Sequence, residues 1–380
     1  MFKGKYLLAI FTLVGTIIGA GIFGLPYIAS KAGILLTFFY MVLIVVVSFL
    51  IHSFFAEIIL RTKKKLLLPG LAKEYLGKGA RIIVSASLVF GVVGSLFAYI
   101  LLSSSFFKIL TGPFIDLPEK LLAVIIWGIL SFLVFLGIKT ISKVELILNL
   151  LFITIVVGFL FFSLPKMEIV NFTLFNLKES FLPFGVVMFS FFGLSAIPCV
   201  LGILKTPKER ANIGKVLKIA LAICFMVYLI FILIIVGVSG RVTSQDSFTG
   251  LIPFLGQNIV LLGAFFGLIT CATSFLVVAN YLRDTLSFDF NIPVPLAFII
   301  TCGTPLLLVF SGIFQFIEAI GLVGSIMGMI EGIIIIMIFK KIKKVGTRMP
   351  EYTFKPFSFV FWIIPIILII GVISQLIYFF

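Results

Sequence analysis

The chain has 380 residues, of which 62% are hydrophobic and 11% charged, with a mean hydropathy of +1.34. That balance excludes a soluble globular protein. A net charge of +15 could suit nucleic acid, but nearly all Lys and Arg sit in short segments between apolar runs, as in the cytoplasmic loops of membrane proteins, so no nucleic-acid partner is expected.

Apolar runs long enough to cross a ~30 Å hydrocarbon core recur along the whole sequence. Eleven spans are predicted, at about 6–29, 34–60, 82–110, 121–138, 144–164, 181–203, 214–238, 256–283, 292–310, 313–339 and 357–379. They make one transmembrane domain over residues 1–380, all-α and polytopic. Lys3 and Lys5 precede the first run like the start of a signal peptide, but no small-residue cleavage site follows, so the run reads as a retained first span. With the N-terminus inside, 23 of the 29 basic residues fall on the inner side. The outer side then holds only Lys31, Lys108, Lys120, Lys166, Lys178 and Arg241. This bias predicts a cytoplasmic N-terminus and, with an odd number of spans, a C-terminus outside.

The first span carries Gly15-Thr16-Ile17-Ile18-Gly19-Ala20-Gly21-Ile22-Phe23-Gly24-Leu25-Pro26, four glycines and a proline within twelve residues. Each glycine weakens a helix by roughly 1 kcal/mol against alanine, and proline removes a backbone donor. In hydrocarbon a loosened backbone survives only where protein buries it or a cavity adjoins it. A broken helix is therefore expected here. The string Gly19-x-Gly21-x-x-Gly24 also spells a dinucleotide-binding fingerprint, but no strand precedes it and the next acidic residue is Glu57, so that reading fails.

After span 2, Arg61–Arg81 encloses Leu68-Pro69-Gly70-Leu71-Ala72-Lys73-Glu74-Tyr75-Leu76-Gly77-Lys78, a short amphipathic piece expected at the cytoplasmic interface. Span 6 holds Gly193-Leu194-Ser195-Ala196-Ile197-Pro198, which echoes Gly21-Ile22-Phe23-Gly24-Leu25-Pro26 at a distance of 172 residues. Five spans separate the two, so they cross in opposite directions. Interrupted helices at matched positions of oppositely oriented halves point to an inverted-repeat transporter with a midplane site. The repeats would cover about 6–164 and 181–339, with 357–379 as an extra helix.

These motifs carry a resemblance. Gly15 to Pro26 resembles the first-helix signature of the amino acid–polyamine–organocation superfamily, including its aromatic-permease and amino acid/auxin permease branches. Phe189-Ser190-Phe191-Phe192-Gly193-Leu194-Ser195-Ala196-Ile197-Pro198 is similar to their sixth helix, and Leu71 to Lys78 to the loop after their second. The resemblance covers essentially the whole chain. It implies five-plus-five helices with helices 1 and 6 broken, and a secondary transporter of amino acids in a cell membrane, here a prokaryotic plasma membrane. Its partners would be the amino acid and the bilayer, with no obligate protein partner. An amino-acid sensor or germinant receptor on the same scaffold, without net transport, is the alternative.

A zwitterionic amino acid must exchange water for protein partners. The amides that open the second half of span 1 lie at a positive helix-dipole end, which suits a carboxylate and selects Gly19, Ala20, Gly21 and Ile22. The family fold implies that backbone carbonyls around Ser190, Phe191, Phe192 and Gly193 take the ammonium, with Phe191, Phe192, Ser195, Gly94 and Ala98 near the side chain. No pocket charge is obvious, which favours a neutral substrate, hydrophobic or aromatic.

In span 8, Thr270, Thr273 and Ser274 could join the carbonyls of Gly15 and Ile18 as an oxygen shell. The resemblance implies a sodium site there in sodium-coupled relatives, while membrane hydroxyls also simply bond their own helix. Sodium and proton coupling both stay open. Some proton-coupled relatives fill the cation position with a lysine within helix 5, whereas Lys143 here lies only at the cytoplasmic edge of that span. Ionisable residues within spans are functional candidates by default, and Glu318 and Glu331 in span 10 are candidates for gating or proton relay. Thirteen residues apart, they face different sides of a helix and form no carboxylate pair. His52 is the sole histidine, and Cys199, Cys224, Cys271 and Cys302 lie in apolar runs as buried small hydrophobes without metal-ligand spacing, so no metal is expected beyond sodium. No cofactor is expected either. Neither a Gly-x-Ser-x-Gly nor a His-Glu-x-x-His string occurs, no catalytic residue stands out, and an enzyme is not expected.

Overall fold

The computed structural model describes residues 4–115, 117–137, 151, 154–156 and 158–379. Every regular element among them is helical. The first predicted span is two helices, α1 (Gly4–Ile17) and α2 (Gly21–Ala32), bent by 57° at the glycine-rich stretch. Next come α3 (Ile34–Arg61), the short α4 (Leu68–Leu76), α5 (Lys78–Thr111) and α6 (Glu119–Phe135). The sixth span is again split, into α7 (Pro183–Ser190) and α8 (Ile197–Ile203), with a 3₁₀ turn at Leu194–Ala196 between them. Then follow α9 (Ile213–Ser239), α10 (Gln257–Asp289), α11 (Val294–Ser311), α12 (Phe316–Val345) and α13 (Val360–Phe379).

Among the described residues eight helices are long and apolar enough to cross a membrane, or nine with the bent pair as one span. The difference from eleven has a local cause. Predicted span 4 is the 17-residue α6, and about half of span 5, together with Lys143 at its edge, lies outside the described residues.

Between helices in a bilayer the hydrophobic effect drives little association, so close van der Waals contact must supply it. Helix α12 shows how. Gly321, Gly324, Gly328 and Gly332 recur along one side, and α7 and α13 lie against it. A Cβ on Gly324 would strike the backbone of Gly185 and Phe189, so these two helices touch main chain to main chain. Helix α5 packs on α10 and α12 at the centre. Outward-facing Phe39, Phe132, Phe161, Trp362 and Ile366 stay exposed, as a lipid-facing shell requires.

The two ends of the bundle are tied differently. On the face of the N-terminus, which carries most of the basic residues, Glu57 is fully buried. It bonds Arg61 at 2.7 Å and the Phe354 amide at 2.6 Å, fastening the α12–α13 loop to α3. Lys5 pairs with Glu209 at 3.5 Å, and Arg210 with Glu351 at 3.3 Å. Burial opposes ionisation of Glu351, but its own backbone amide, Arg348 and Arg210 together hold its carboxyl below the usual carboxylate range. Glu57 is thus a structural clasp. The amphipathic α4 buries Leu68, Leu71, Ala72 and Tyr75, because α5 and α12 cover its apolar face.

Candidate functional site

Site geometry begins with the two breaks. A continuous helix would bond the Gly21 N–H to the Ile17 carbonyl and the Leu194 N–H to the Ser190 carbonyl; neither bond forms. Instead the Gly19 amide turns back to Ile17 at 3.0 Å, and the Ile22 amide to Gly19 at 3.4 Å. Among the four candidate carboxylate donors, this leaves the N–H groups of Ala20 and Gly21 without an intramolecular acceptor among the described residues. At the second break the Gly193 carbonyl accepts from Ala196 at 3.1 Å, and those of Phe191 and Phe192 receive no backbone donor among the described residues.

The breaks interlock. A Cβ on Gly21 would lie 2.6 Å from the Ser190 hydroxyl and 2.9 Å from the Ser190 Cα. On the other side of the same contact, Gly193 is covered by the Ile17 side chain. Between them stands Tyr228 of α9, fully buried, its hydroxyl 2.9 Å from the Ile17 carbonyl and 2.7 Å from that of Ser190.

A cavity of about 510 Å³ opens beside the breaks and runs towards the basic face, reaching Leu67 and Leu68. Its inner end is walled by Gly19 and Gly21, by Ser95 and Tyr99 of α5, and by Phe189 and Phe192. Farther out stand Thr12 and Thr16 of α1, Asn280 and Tyr281 of α10, and Glu331 of α12. Glu331 is 4% exposed and forms no ion pair among the described residues. The Tyr99 hydroxyl lies 3.4 Å from where a Cβ on Gly19 would be.

Among the candidates from sequence, Gly19, Gly21, Phe192, Ser195 and Glu331 face this cavity. Ala20, Ile22, Ser190, Phe191 and Gly193 are buried behind it, and Phe191 packs edge-on against Tyr228 with centroids 5.1 Å apart. Gly94 and Ala98 are not part of the wall: Gly94 is covered by Val323, and Ala98 is fully buried. His52 contacts the Ser48 carbonyl through Nδ1, with Nε2 beside Gly193.

Of the proposed cation set, Gly15, Ile18, Thr270, Thr273 and Ser274, none lines the cavity. Thr273 returns its hydroxyl to the Thr270 carbonyl at 3.0 Å. Ile18 lies in the break itself, and the Ser274 Oγ comes within 3.9 Å of the Cβ position of Gly19. Glu318 lies in the first turn of α12, outside the cavity wall, and caps that helix, accepting from the Gln315 amide at 2.8 Å. It works as an N-terminal cap. Cys224, Cys271 and Cys302 are buried as expected, but Cys199 is exposed in the cavity wall, because α8 turns that side of the broken span towards open space.

Beyond the breaks the opposite half is filled. Phe23 of α2 meets Phe106 at 4.9 Å, Phe248 at 5.7 Å and Phe231 at 6.0 Å between centroids, and Phe159 meets Phe248 at 5.7 Å. Ser247, buried and left-handed at φ 67°, donates its hydroxyl to the Phe23 carbonyl. Gln245 and Gln315 bond across the same face.

Sequence reasoning missed Tyr99 and Tyr228. Each is a phenol set in a run of aliphatic and Phe residues, and that isolated hydroxyl is the signal that could have drawn attention to them. The profile of the tryptophan/tyrosine permease family matches residues 3–377. Among curated proteins, nothing matches the chain.

Proposed function

The chain belongs to the tryptophan/tyrosine permease family, and from that premise we propose that this membrane amino acid transporter carries neutral aromatic amino acids by cation-coupled alternating access. The observation that carries the reading is a cavity in which open backbone amides and aromatic side walls meet. The unpaired N–H of Gly21, in the cavity wall at the start of α2, receives the substrate carboxylate, and the helix dipole adds to it. The carbonyl of Phe192, a residue of the cavity wall, supplies an acceptor for the ammonium. Phe189, Phe192 and Tyr99 flank the remaining space, and about 510 Å³ falls within the range of small-molecule pockets.

Coupling falls to Glu331 in this reading. It is the carboxyl in the cavity wall, and a lone carboxyl in a membrane interior is held neutral by a proton more readily than by a distant cation. What favours protons over sodium is the arrangement of the hydroxyl set, with Thr273 turned to its own helix and none of the three hydroxyl residues lining the cavity. Substrate and proton together would favour closure on the basic side and opening on the other.

The test is uptake of labelled tryptophan into proteoliposomes under imposed proton or sodium gradients, with the other amino acids as competitors. Accumulation driven by a proton gradient and competed by tyrosine and phenylalanine is expected. Saturable binding without accumulation would overturn the transport reading in favour of a receptor. Accumulation driven by sodium alone would overturn the role of Glu331.

A further inference from the structure

Tyr228 touches neither the cavity nor lipid, yet at each break it faces a carbonyl that has lost its helical partner. In α1 that carbonyl is Ile17, which lost the Gly21 amide; in α7 it is Ser190, which lost the Leu194 amide. The same two residues carry the interlock, since Gly21 abuts Ser190 and Gly193 abuts Ile17. We propose that Tyr228 is the positioning residue of the site: its hydroxyl caps both broken helices at once and sets the separation of the two breaks, and so the width of the head-group pocket.

A phenol has one proton, and two carbonyls compete for it. Ser190 lies nearer, at 2.7 Å, and has no other donor at its carbonyl among the described residues. Ile17, at 2.9 Å, also receives the Gly19 amide at 3.0 Å, so it stays satisfied when the proton points to Ser190. The proton can therefore alternate between the breaks without leaving both carbonyls bare. Removing the hydroxyl leaves the Ser190 carbonyl buried without a donor, a state that the break relieves by moving. The ring itself is held independently by Phe191, so loss of the oxygen alone need not collapse the packing.

This inference rests on the substrate site proposed above, and its test includes a readout that needs no substrate. In Tyr228→Phe, hydrogen–deuterium exchange of peptides covering residues 15–23 and 187–196 should rise about tenfold at both breaks, with exchange elsewhere unchanged. The Kd and KM for tryptophan should rise about tenfold together, while the Tm in detergent stays close to that of the parent protein. Unchanged exchange at either break overturns the shared cap, whatever the substrate proves to be. Faster exchange at both breaks in a protein whose parent form binds no aromatic amino acid keeps the cap and removes the substrate reading instead. Should Phe fail to fold, 3-fluorotyrosine at position 228 keeps the ring and makes a stronger donor. Exchange should then slow at both breaks, and unchanged exchange overturns the proposal.

Discussion

A methyl group at position 21 is the sharpest perturbation of the site. In Gly21→Ala the new Cβ would lie 2.9 Å from the Ser190 Cα, a backbone atom that no rotamer change can move. Reaching the ~3.5–4.0 Å optimum for carbon contacts requires α2 and α7 to separate by roughly 0.8 Å. Overpacking of this kind costs about 1–3 kcal/mol, offset by up to ~1 kcal/mol from the better helix propensity of alanine. The net loss of stability is small, so Tm in detergent should fall by only a few degrees. Function should respond more strongly. The Ala20 and Gly21 amides move with the start of α2, and a hydrogen bond to a charged group is worth about 1.5–3 kcal/mol. Losing one such aligned bond predicts a rise in Kd for tryptophan of about ten- to a hundredfold. Tm, binding by titration calorimetry and uptake in proteoliposomes measure the three effects separately. Gly19→Ala is the control, since its Cβ meets the Tyr99 hydroxyl at 3.4 Å and the Ser274 hydroxyl at 3.9 Å, both far ends of side chains, and a smaller loss is expected. If Gly21→Ala lowers Tm but leaves Kd within twofold, Gly21 is a packing glycine and the carboxylate assignment is wrong.

Other tests reach different parts of the site. Glu331→Gln should abolish the stimulation of uptake by an inward proton gradient while retaining substrate binding and exchange; gradient-driven accumulation at the parental level would remove Glu331 from coupling. Thr273→Val should leave uptake and its ion dependence unchanged, because that hydroxyl is spent on the Thr270 carbonyl. Ser274→Ala should also leave ion dependence unchanged under proton coupling, and a loss of sodium stimulation in uptake assays would revive the sodium site. An impermeant maleimide should label Cys199 through the open cavity from the basic side only, and spare the buried Cys224, Cys271 and Cys302. Labelling from the opposite side would contradict the sidedness of the cavity.

Much of the fold was legible because bilayer chemistry constrains sequence so strongly. Most span edges lie within a few residues of the observed helices, since each needs a run of apolar residues and ends where Lys, Arg, Gly or Pro appear. Gly15 to Pro26 announced a break because so many weak helix formers cannot stand together in hydrocarbon without a reason. The limits are equally physical. Local sequence shows which amides a break could free, but not which turn back into tighter local bonds, as those of Gly19 and Ile22 do. It shows an intramembrane carboxyl but not its surroundings: Glu57 is clasped by Arg61 and a backbone amide, Glu318 caps a helix, and Glu331 faces open space. Tyr228 is about two hundred residues from one of its partners, a relation no local pattern encodes.

The sidedness of the cavity follows from how the two halves of the broken helices are packed. On the basic side, α1 and α8 leave a gap that side chains do not fill, and the lining there includes small or polar residues such as Thr12, Thr16 and Cys199. On the other side, α2 presents Phe23 to a cluster of phenylalanines drawn from α5, α9 and the loop after α9, and Ser247 holds that loop to the Phe23 carbonyl. A left-handed non-glycine residue at Ser247 is a local strain that the hydroxyl bond helps to hold. To open this side, the phenylalanines must separate and the Ser247 bond must break, and a bound substrate can drive that only through contacts it makes better in the opened state. The interlock of Gly21 with Ser190 is where such contacts would act, because α2 and α7 meet there beside the head-group amides. A ligand that draws the start of α2 towards itself pulls on Phe23 only two residues further along. Binding and the aromatic seal are thus joined by less than one helical turn.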